Sequence, residues 1–599
     1  MEAHTPQPTR RPTNVWSTTL RTFDRFDTFG DALAQADSRA VLEEHASDLL
    51  QSSMATQLAE FPLGPFLEFS LSPDAARAAL VLDELSRIVR TKPDLAPEPP
   101  IVVRDDYEPV TTQVASARVL APASALTYEI TEVVLQGPSH GNPFVDVDLT
   151  ATFAESDSTI AVGGFYDGDG TYRIRFLPPH AGNWEFTTSS NARSLREIHG
   201  TIAVADGPAR GPVGVVDQFG FAHADGTPYA PFGTTAYAWT HQSDDLQDQT
   251  IVSLAKAPFN KIRMCLFPKS FMYNSNEPEH FVFPRAEDGS WDTTRFNLDY
   301  FANLERRLTQ LDSLGIQADL ILFHPYDRWG LSTLGQTVDE RYLTYVVRRL
   351  AAFPHVWWSL ANEYELLTTK RPSSWHRFAE IVGQEDHAGH LLSIHNWSEL
   401  YDYSAPWATH CSIQRGDRDM AKKVDAWRLA WGKPVVVDEA GYEGDIDQGW
   451  GNHTPQAVLE IAWSAAVRGG YVSHGETFHD ADEVLWWSKG GALKGDAVAR
   501  LAFLRDVVEA SPIGRLDPLP SDWDVPWGGV TGQYVIQYFG AVQPRFRHVA
   551  VPAGMRAHID VIDTWNMTIE TLPGVHEGTT KVDLPARPYM AIRLRAAQD

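Results

Sequence analysis

Residues 434–444 read PVVVDEAGYEG, a proline and three valines followed by three acids within six positions. A valine run favours a buried strand, and a buried strand has no cheap place for an ionised carboxylate. Either Asp438, Glu439 and Glu443 belong to a solvated loop, or one of them is held at a strand end for chemistry. The surrounding sequence decides between these. From about residue 215 to 510, short apolar runs alternate with amphipathic helical segments. The strand candidates are YAPFGTTA, FNKIRMCLF, ADLILFH, VWWSLANE, HLLSIH, ATHCSIQ, PVVVDEA and GGYVSHGE, with helical stretches such as DERYLTYVVRRLAAF and TPQAVLEIAWSAAVRG between most of them. Eight such strands over about 300 residues predict an α/β fold, a (β/α)8 TIM barrel over 215–511.

The flanks read differently. Residues 1–100 carry apolar positions at helical spacing, with Ser72-Pro73-Asp74 as a helix start, and predict a helical N-terminal segment. LAPEPPIVVRDD, with its prolines, reads as a linker. Over 118–208, short alternating runs such as FVDVDLTATF and NWEFTTSS are separated by turn residues, which predicts an Ig-like β-sandwich. After 511 the helices stop, and QYVIQYFG, AHIDVIDTW and PYMAIRLRA predict a C-terminal β-sandwich domain over 512–599.

At 599 residues the chain is too long for a single hydrophobic core. Its net charge of -28 would repel a phosphate backbone, so no nucleic-acid partner is expected. No run of about 18 apolar residues predicts a membrane span. The N-terminal MEAHTPQPTRRPTNVW has no apolar segment behind its arginine pair, so the expected location is cytoplasmic. The N-terminal helices offer surface for a homo-oligomer contact. Cys265 and Cys411 lie in apolar strand-like stretches and are expected to be buried free thiols.

In a (β/α)8 barrel the reactive groups sit at the C-terminal strand ends. Those ends hold Thr234, Thr235, Tyr237 and Trp239 after strand one and Arg263 on strand two. His324, Tyr326, Asp327, Arg328 and Trp329 follow strand three, and Asn362, Glu363 and Glu365 follow strand four. His395, Asn396 and Trp397 follow strand five, and His410 lies on strand six. Asp438 and Glu439 end strand seven, and His474 and Glu476 end strand eight. Such a polar and aromatic rim suits a carbohydrate substrate. Strands four and seven lie opposite each other, so Glu363 and Glu439 can face across a cleft. Glycosidic hydrolysis needs such a pair, one carboxyl protonated to assist the leaving oxygen and the other ionised. Adjacent strand residues point to opposite sides, so Asp438 is expected to face a helix or loop cap, and Glu365 and Glu443 to be loop acids.

Asn362-Glu363 and Glu439, in this order, resemble the signature of the clan A retaining glycoside hydrolases. FNKIRMCLFPK, ADLILFHPYDRWG, VWWSLANEYEL, YVSHGETF and LWWSKGG resemble the apiosidase-like bacterial group within that clan, over about 120–599. The resemblance implies that Glu363 is the general acid/base and that Asn362 bonds the hydroxyl next to the anomeric carbon. It implies that Glu439 is the nucleophile, with Arg263 near it and holding it ionised. It makes His410 the strand-six partner of the nucleophile, and Trp486 and Trp487 the subsite floor after strand eight. It also favours a pentose or furanose residue, released by an exo-acting retaining enzyme from small oligosaccharides.

Two other readings compete. One is a carbohydrate-binding protein whose barrel has lost catalysis, motivated by the flanking β-domains. The other is a metal-dependent barrel hydrolase using the histidines His324, His395, His410, His474 and His479. That class wants His-x-His after strand one, which PFGTTAYAW lacks, so no metal and no cofactor are expected.

Overall fold

The valine run forms a strand, Val435–Glu439, and each of its residues is buried. Burial on both faces is what a parallel strand covered by helices requires. In chain order its companions are β1 Gly233–Thr235, β2 Lys261–Cys265, β3 Gln317–Phe323, β4 Val356–Ala361, β5 Leu392–Ser393 and β6 Cys411–Gln414; the valine strand is β7, and β8 is Tyr471–Val472. Strands β1 to β5 pair in that order as one parallel sheet, and β6, β7 and β8 as another. Two parallel bridges link the sheets at both edges, His395 to Ser412 and Thr234 to His474. The result is a curled parallel α/β arrangement with all eight C-terminal strand ends at one rim.

The computed structural model describes residues 20–50, 59–93 and 103–597, except 418, 522 and 523. Most of the linker expected at LAPEPPIVVRDD, and the first 19 residues, lie outside that range. Among the described residues no helix is long and apolar enough to cross a membrane. Cys265 and Cys411 are buried free thiols.

Helices between the strands start where the sequence supplies caps. Asn297 accepts from the Asp299 amide ahead of Leu298–Ser313, and Thr454 accepts from Ala457 ahead of Pro455–Ala466, whose first residue is proline. Pro455–Ala466 and the following Ala497–Glu509 pack together through Leu459, Ala462, Leu501 and Leu504.

Among the described residues, 20–50 and 59–93, with 335–337 and 368–371, form a separate unit. Its helices Phe29–Ala34, Ala36–His45, Leu63–Ser70 and Ala75–Leu85 enclose Phe23, Phe29, Leu42, Leu67 and Val81. Asp74 caps the last of them by accepting from the Arg77 amide.

Ahead of the parallel sheets, eight strands between Arg118 and Ala205 form one continuous hydrogen-bonded order. Ser158–Tyr166 makes the turn. Its first part pairs with Leu149–Glu155 and its last three residues with Thr171–Phe176, so one strand serves two layers. Val133, Phe153, Ile174, Phe176, Trp184 and Phe186 fill the space between. After residue 516, six strands from Asp517–Leu519 to Met590–Ala596 form an antiparallel sheet, beside the pair Phe546–Ala550 and Thr579–Asp583.

Candidate active site

Strand β4 delivers Asn362 and Glu363 to the rim. Glu363 adopts a left-handed backbone conformation, φ 51° and ψ 57°. For a non-glycine residue this costs about 1–3 kcal/mol, and such strain concentrates at functional sites. The residue is 4% exposed, and its Oε2 accepts a hydrogen bond from the Tyr326 hydroxyl. Burial raises the Glu363 pKa, against the opposing pull of the Lys269 ammonium and of the Tyr326 and Gln414 side chains.

Strand β7 delivers Glu439, 9% exposed. The Tyr237 hydroxyl, just beyond β1, contacts Glu439 Oε1 and also lies 3.1 Å from Asn362 Oδ1. One hydroxyl therefore ties the ends of strands four and seven to a single point. Burial pushes the Glu439 pKa up to about 7, and the nearby Tyr442 side chain opposes it. His395 Nε2 lies 3.9 Å from Glu439 Oε1.

Asp438 does not face a helix or loop cap as alternation predicts. The register between β6 and β7 shifts, with Ile413 opposite Val437 and Gln414 opposite Glu439, so Asp438 is the extra residue of a bulge. The bulge lets both acids turn inward. Asp438 accepts from Lys261 Nζ at 2.8 Å, Ser412 Oγ at 2.6 Å and Ser473 Oγ at 3.1 Å. Lys261 also donates to Asp319 at 2.6 Å. Burial alone would raise the Asp438 pKa, but Lys261 and Arg263 outweigh it and hold the group well below the usual carboxylate range.

Arg263 belongs to this buried network. It stands 3.3 Å from Asp319 and 3.9 Å from Asp438, and donates to Ser359 at 3.3 Å and Asn362 Oδ1 at 3.2 Å. Its ion-pair partners are thus Asp319 and Asp438, and it reaches the Glu439 neighbourhood through Asn362 Oδ1, the atom that the Tyr237 hydroxyl also approaches.

The structure separates the other residues singled out by sequence. Tyr326 and Trp487 join the Glu363 and Glu439 neighbourhood, and Trp329, partly exposed, donates to Glu277 at 3.0 Å. Trp239 is fully buried with its indole N–H on Met264 Sδ, and Trp486 is buried with its N–H on Thr234 Oγ1. His324 is buried against the Phe267 carbonyl. His410 precedes β6 rather than ending it, and packs on Trp357 and Phe221; the rim residue of that strand is Gln414. His474 and Glu476 lie with Glu443 in a separate buried cluster. The expected loop acids are buried too. Glu365 accepts from the amides of Trp397, Ser398 and Glu399 at 2.7, 2.7 and 2.8 Å, and burial pushes its pKa up to about 8.

Lys269 was not visible as a site residue in the sequence. It lies in the loop after β2, 4% exposed, with its ammonium 3.5 Å from the ring centre of Tyr237, 4.5 Å from Tyr326 and 4.8 Å from Trp487. These faces attract the cation, while burial lowers its pKa to about 8. The signal in the sequence is only FPKS at a strand end, and the rings that define its place come from strands one, three and the loop after eight. Because this ammonium lowers the Glu363 pKa, Lys269→Met should raise that pKa. If Glu363 is the general acid, the alkaline limb of kcat/KM then moves to higher pH; an unmoved limb would separate Lys269 from Glu363.

Comparison with known proteins places these strand ends in a family. The family described as "Apiosidase-like, catalytic domain" matches residues 217–513. Domains of unknown function match on both sides, DUF5060 at 125–191 and DUF5605 at 523–595. A search of curated proteins gives no match. Among solved structures, a candidate glycoside hydrolase from Bacteroides vulgatus ATCC 8482 is 35% identical, over 79% of this chain and 100% of that one, with a TM-score of 0.75. A family 5 glycoside hydrolase from the same organism shares the fold at 15% identity, over 65% and 93% of the two chains, with a TM-score of 0.53. With the match covering the whole of a relative at 35% identity, and the catalytic-domain match spanning every strand end described above, the chain belongs to the apiosidase-like glycoside hydrolases.

Proposed function

We propose that the protein is a retaining, exo-acting glycosidase that removes a small sugar residue, a pentose or furanose, from glycosides or short oligosaccharides. Its catalytic frame is read as a (β/α)8 barrel over 215–511, closed by the bridges His395 to Ser412 and Thr234 to His474. The observation that carries the proposal is the Tyr237 hydroxyl shared by Asn362 and Glu439, which brings the β4 and β7 ends within one side chain of each other. A retaining pair requires roughly 5–5.5 Å between the Glu363 and Glu439 carboxyls and an inverting pair roughly 6.5–9.5 Å, so the configuration of the product tests which holds.

In the first step a Glu439 carboxylate oxygen attacks the anomeric carbon. The bond from that carbon to the leaving oxygen breaks, and Glu363 gives that oxygen its proton. In the second, the Glu363 carboxylate takes a proton from water, and the water oxygen attacks the anomeric carbon and expels Glu439. Asn362, held by Arg263, is placed to bond the hydroxyl next to the reacting carbon. Both carboxyls are nearly enclosed, at 4% and 9% exposure, which suits the end of a chain held in a small pocket.

The test is a panel of aryl glycosides covering both anomers and both ring sizes, with NMR of the first-formed product. Release of a terminal pentose or furanose with retained configuration is expected. An inverted first product would overturn the double displacement, and turnover only within polymers would overturn exo action.

A further inference from the structure

The last acid of the opening stretch has left the active site. Glu443–Gly444 is a short strand paired in parallel with Glu476–Thr477, and the register sets Glu443 beside Glu476. Like charges placed side by side on neighbouring strands destabilise a sheet, and these two are 1% exposed each. Consecutive backbone amides meet them. Lys494 and Gly495 donate to the two oxygens of Glu476 at 2.7 and 2.8 Å, and Asp496 and Ala497 to those of Glu443 at 2.8 and 3.0 Å. Each carboxylate oxygen has a second lone pair that these bonds leave unused. The Lys494 ammonium pairs with Asp480 at 2.8 Å, so it and Arg500 act on the two carboxyls only from a distance, and burial still raises both pKa values.

A third group faces the same point. His474 is 2% exposed, and its ring is fixed by stacking on Phe259 and by Nδ1 lying 3.2 Å from Thr234 Oγ1. Its Nε2 is buried without a hydrogen-bond partner, 3.7 Å from Glu476 Oε1. A buried ring nitrogen left unsatisfied is costly and calls for an occupant. Ligand atoms of Glu443, His474 and Glu476 all lie within 4.8 Å of one another. Gly495 completes the enclosure: a Cβ there would stand 2.4 Å from Glu443 Oε2 and 2.7 Å from Glu476 Oε1.

We propose that Glu443, His474 and Glu476 bind a first-row divalent cation, Zn2+ by the chemistry of its donors, as a structural clamp behind the active site. Imidazole and carboxylate are both zinc ligand types, with distances of about 2.0–2.2 Å that require the three donors to draw together and leave a fourth position for water. Thr234 then orients the ring through Nδ1, the usual arrangement around a metal-bound histidine. The clamp joins two segments that carry site walls. Glu443 follows Tyr442 directly, and Glu476 and its amide donors bracket the loop carrying Trp487.

The test uses tag-free, full-length protein stripped with EDTA and titrated with ZnCl2 by calorimetry, with melting followed in parallel. Neither readout depends on hydrolysis, so failure of the glycosidase reading leaves it intact. One zinc per chain and a higher melting temperature are expected. Loss of an outer hydrogen-bond partner alone costs about 10–100-fold in metal affinity, so Glu476→Gln, which removes a ligand, should cost at least the upper end of that range. His474→Gln, which keeps both carboxylates, should weaken binding as well and covers the case where Glu476→Gln misfolds. Absence of stoichiometric zinc in the wild type overturns the proposal. So does equal affinity in the wild type and the folded variants, which would mark adventitious surface binding. A stripped wild type that is unmoved by zinc while Glu476→Gln is more stable would assign the cluster to a shared proton and overturn it too.

Discussion

Glu439→Ala should lose turnover beyond the roughly 10²–10⁴-fold that removing a proton-transfer group costs. Without this carboxylate the only other acid on β7 is Asp438, which Lys261, Ser412 and Ser473 hold, whereas Glu363 and the Lys269 pocket remain. Added azide fits the vacated space, and the variant should yield a glycosyl azide of inverted configuration from an activated aryl glycoside. Glu363→Ala should behave differently. It should fall within the proton-transfer range, and least for aryl leaving groups that depart without protonation. Rates on an activated and an unactivated substrate, with NMR of the azide product, check both. Normal turnover by Glu439→Ala would remove the assignment.

Lys261→Met should be the most destabilising single change near the site, at about 3–5 kcal/mol. Lys261 is fully buried and its ammonium is shared by Asp319 and Asp438. The substitution keeps the chain volume but leaves two buried carboxylates to Arg263, whose distances of 3.3 and 3.9 Å to them are already long. Denaturant unfolding followed by tryptophan fluorescence would measure the loss. A change below about 1 kcal/mol, the size of an exposed pair, would show that the network is not desolvated in solution. Because Arg263 also holds Asn362, activity should fall with stability even under folding conditions.

The parallel strand rhythm and the two strand-end glutamates were legible in the sequence because both follow from local rules. Apolar runs of four to seven residues between helical segments specify strands wherever they sit, and an acid at the end of such a run is conspicuous. The residues read less well were those whose environment comes from elsewhere in the chain. Trp239 and Trp486 looked like cleft aromatics, yet both are buried, because an indole can donate to a sulfur or hydroxyl and pack like any large side chain. His410 looked like a rim residue because the start and end of a short strand cannot be told apart by composition.

By itself, the sequence determined the strand that carries Glu439, the strand that ends at Glu363, and a net charge unsuited to nucleic acid. Tertiary structure decided where the remaining acids went. A bulge against β6 turned Asp438 inward onto Lys261, and the amides of residues 494–497 drew Glu443 and Glu476 into one buried cluster. Three rings from distant segments gathered round Lys269. The physical reason is common to all three. Alternation and periodicity are properties of neighbours in the chain, whereas the cost of burying a charge is settled by whichever donors, cations or rings the fold brings beside it.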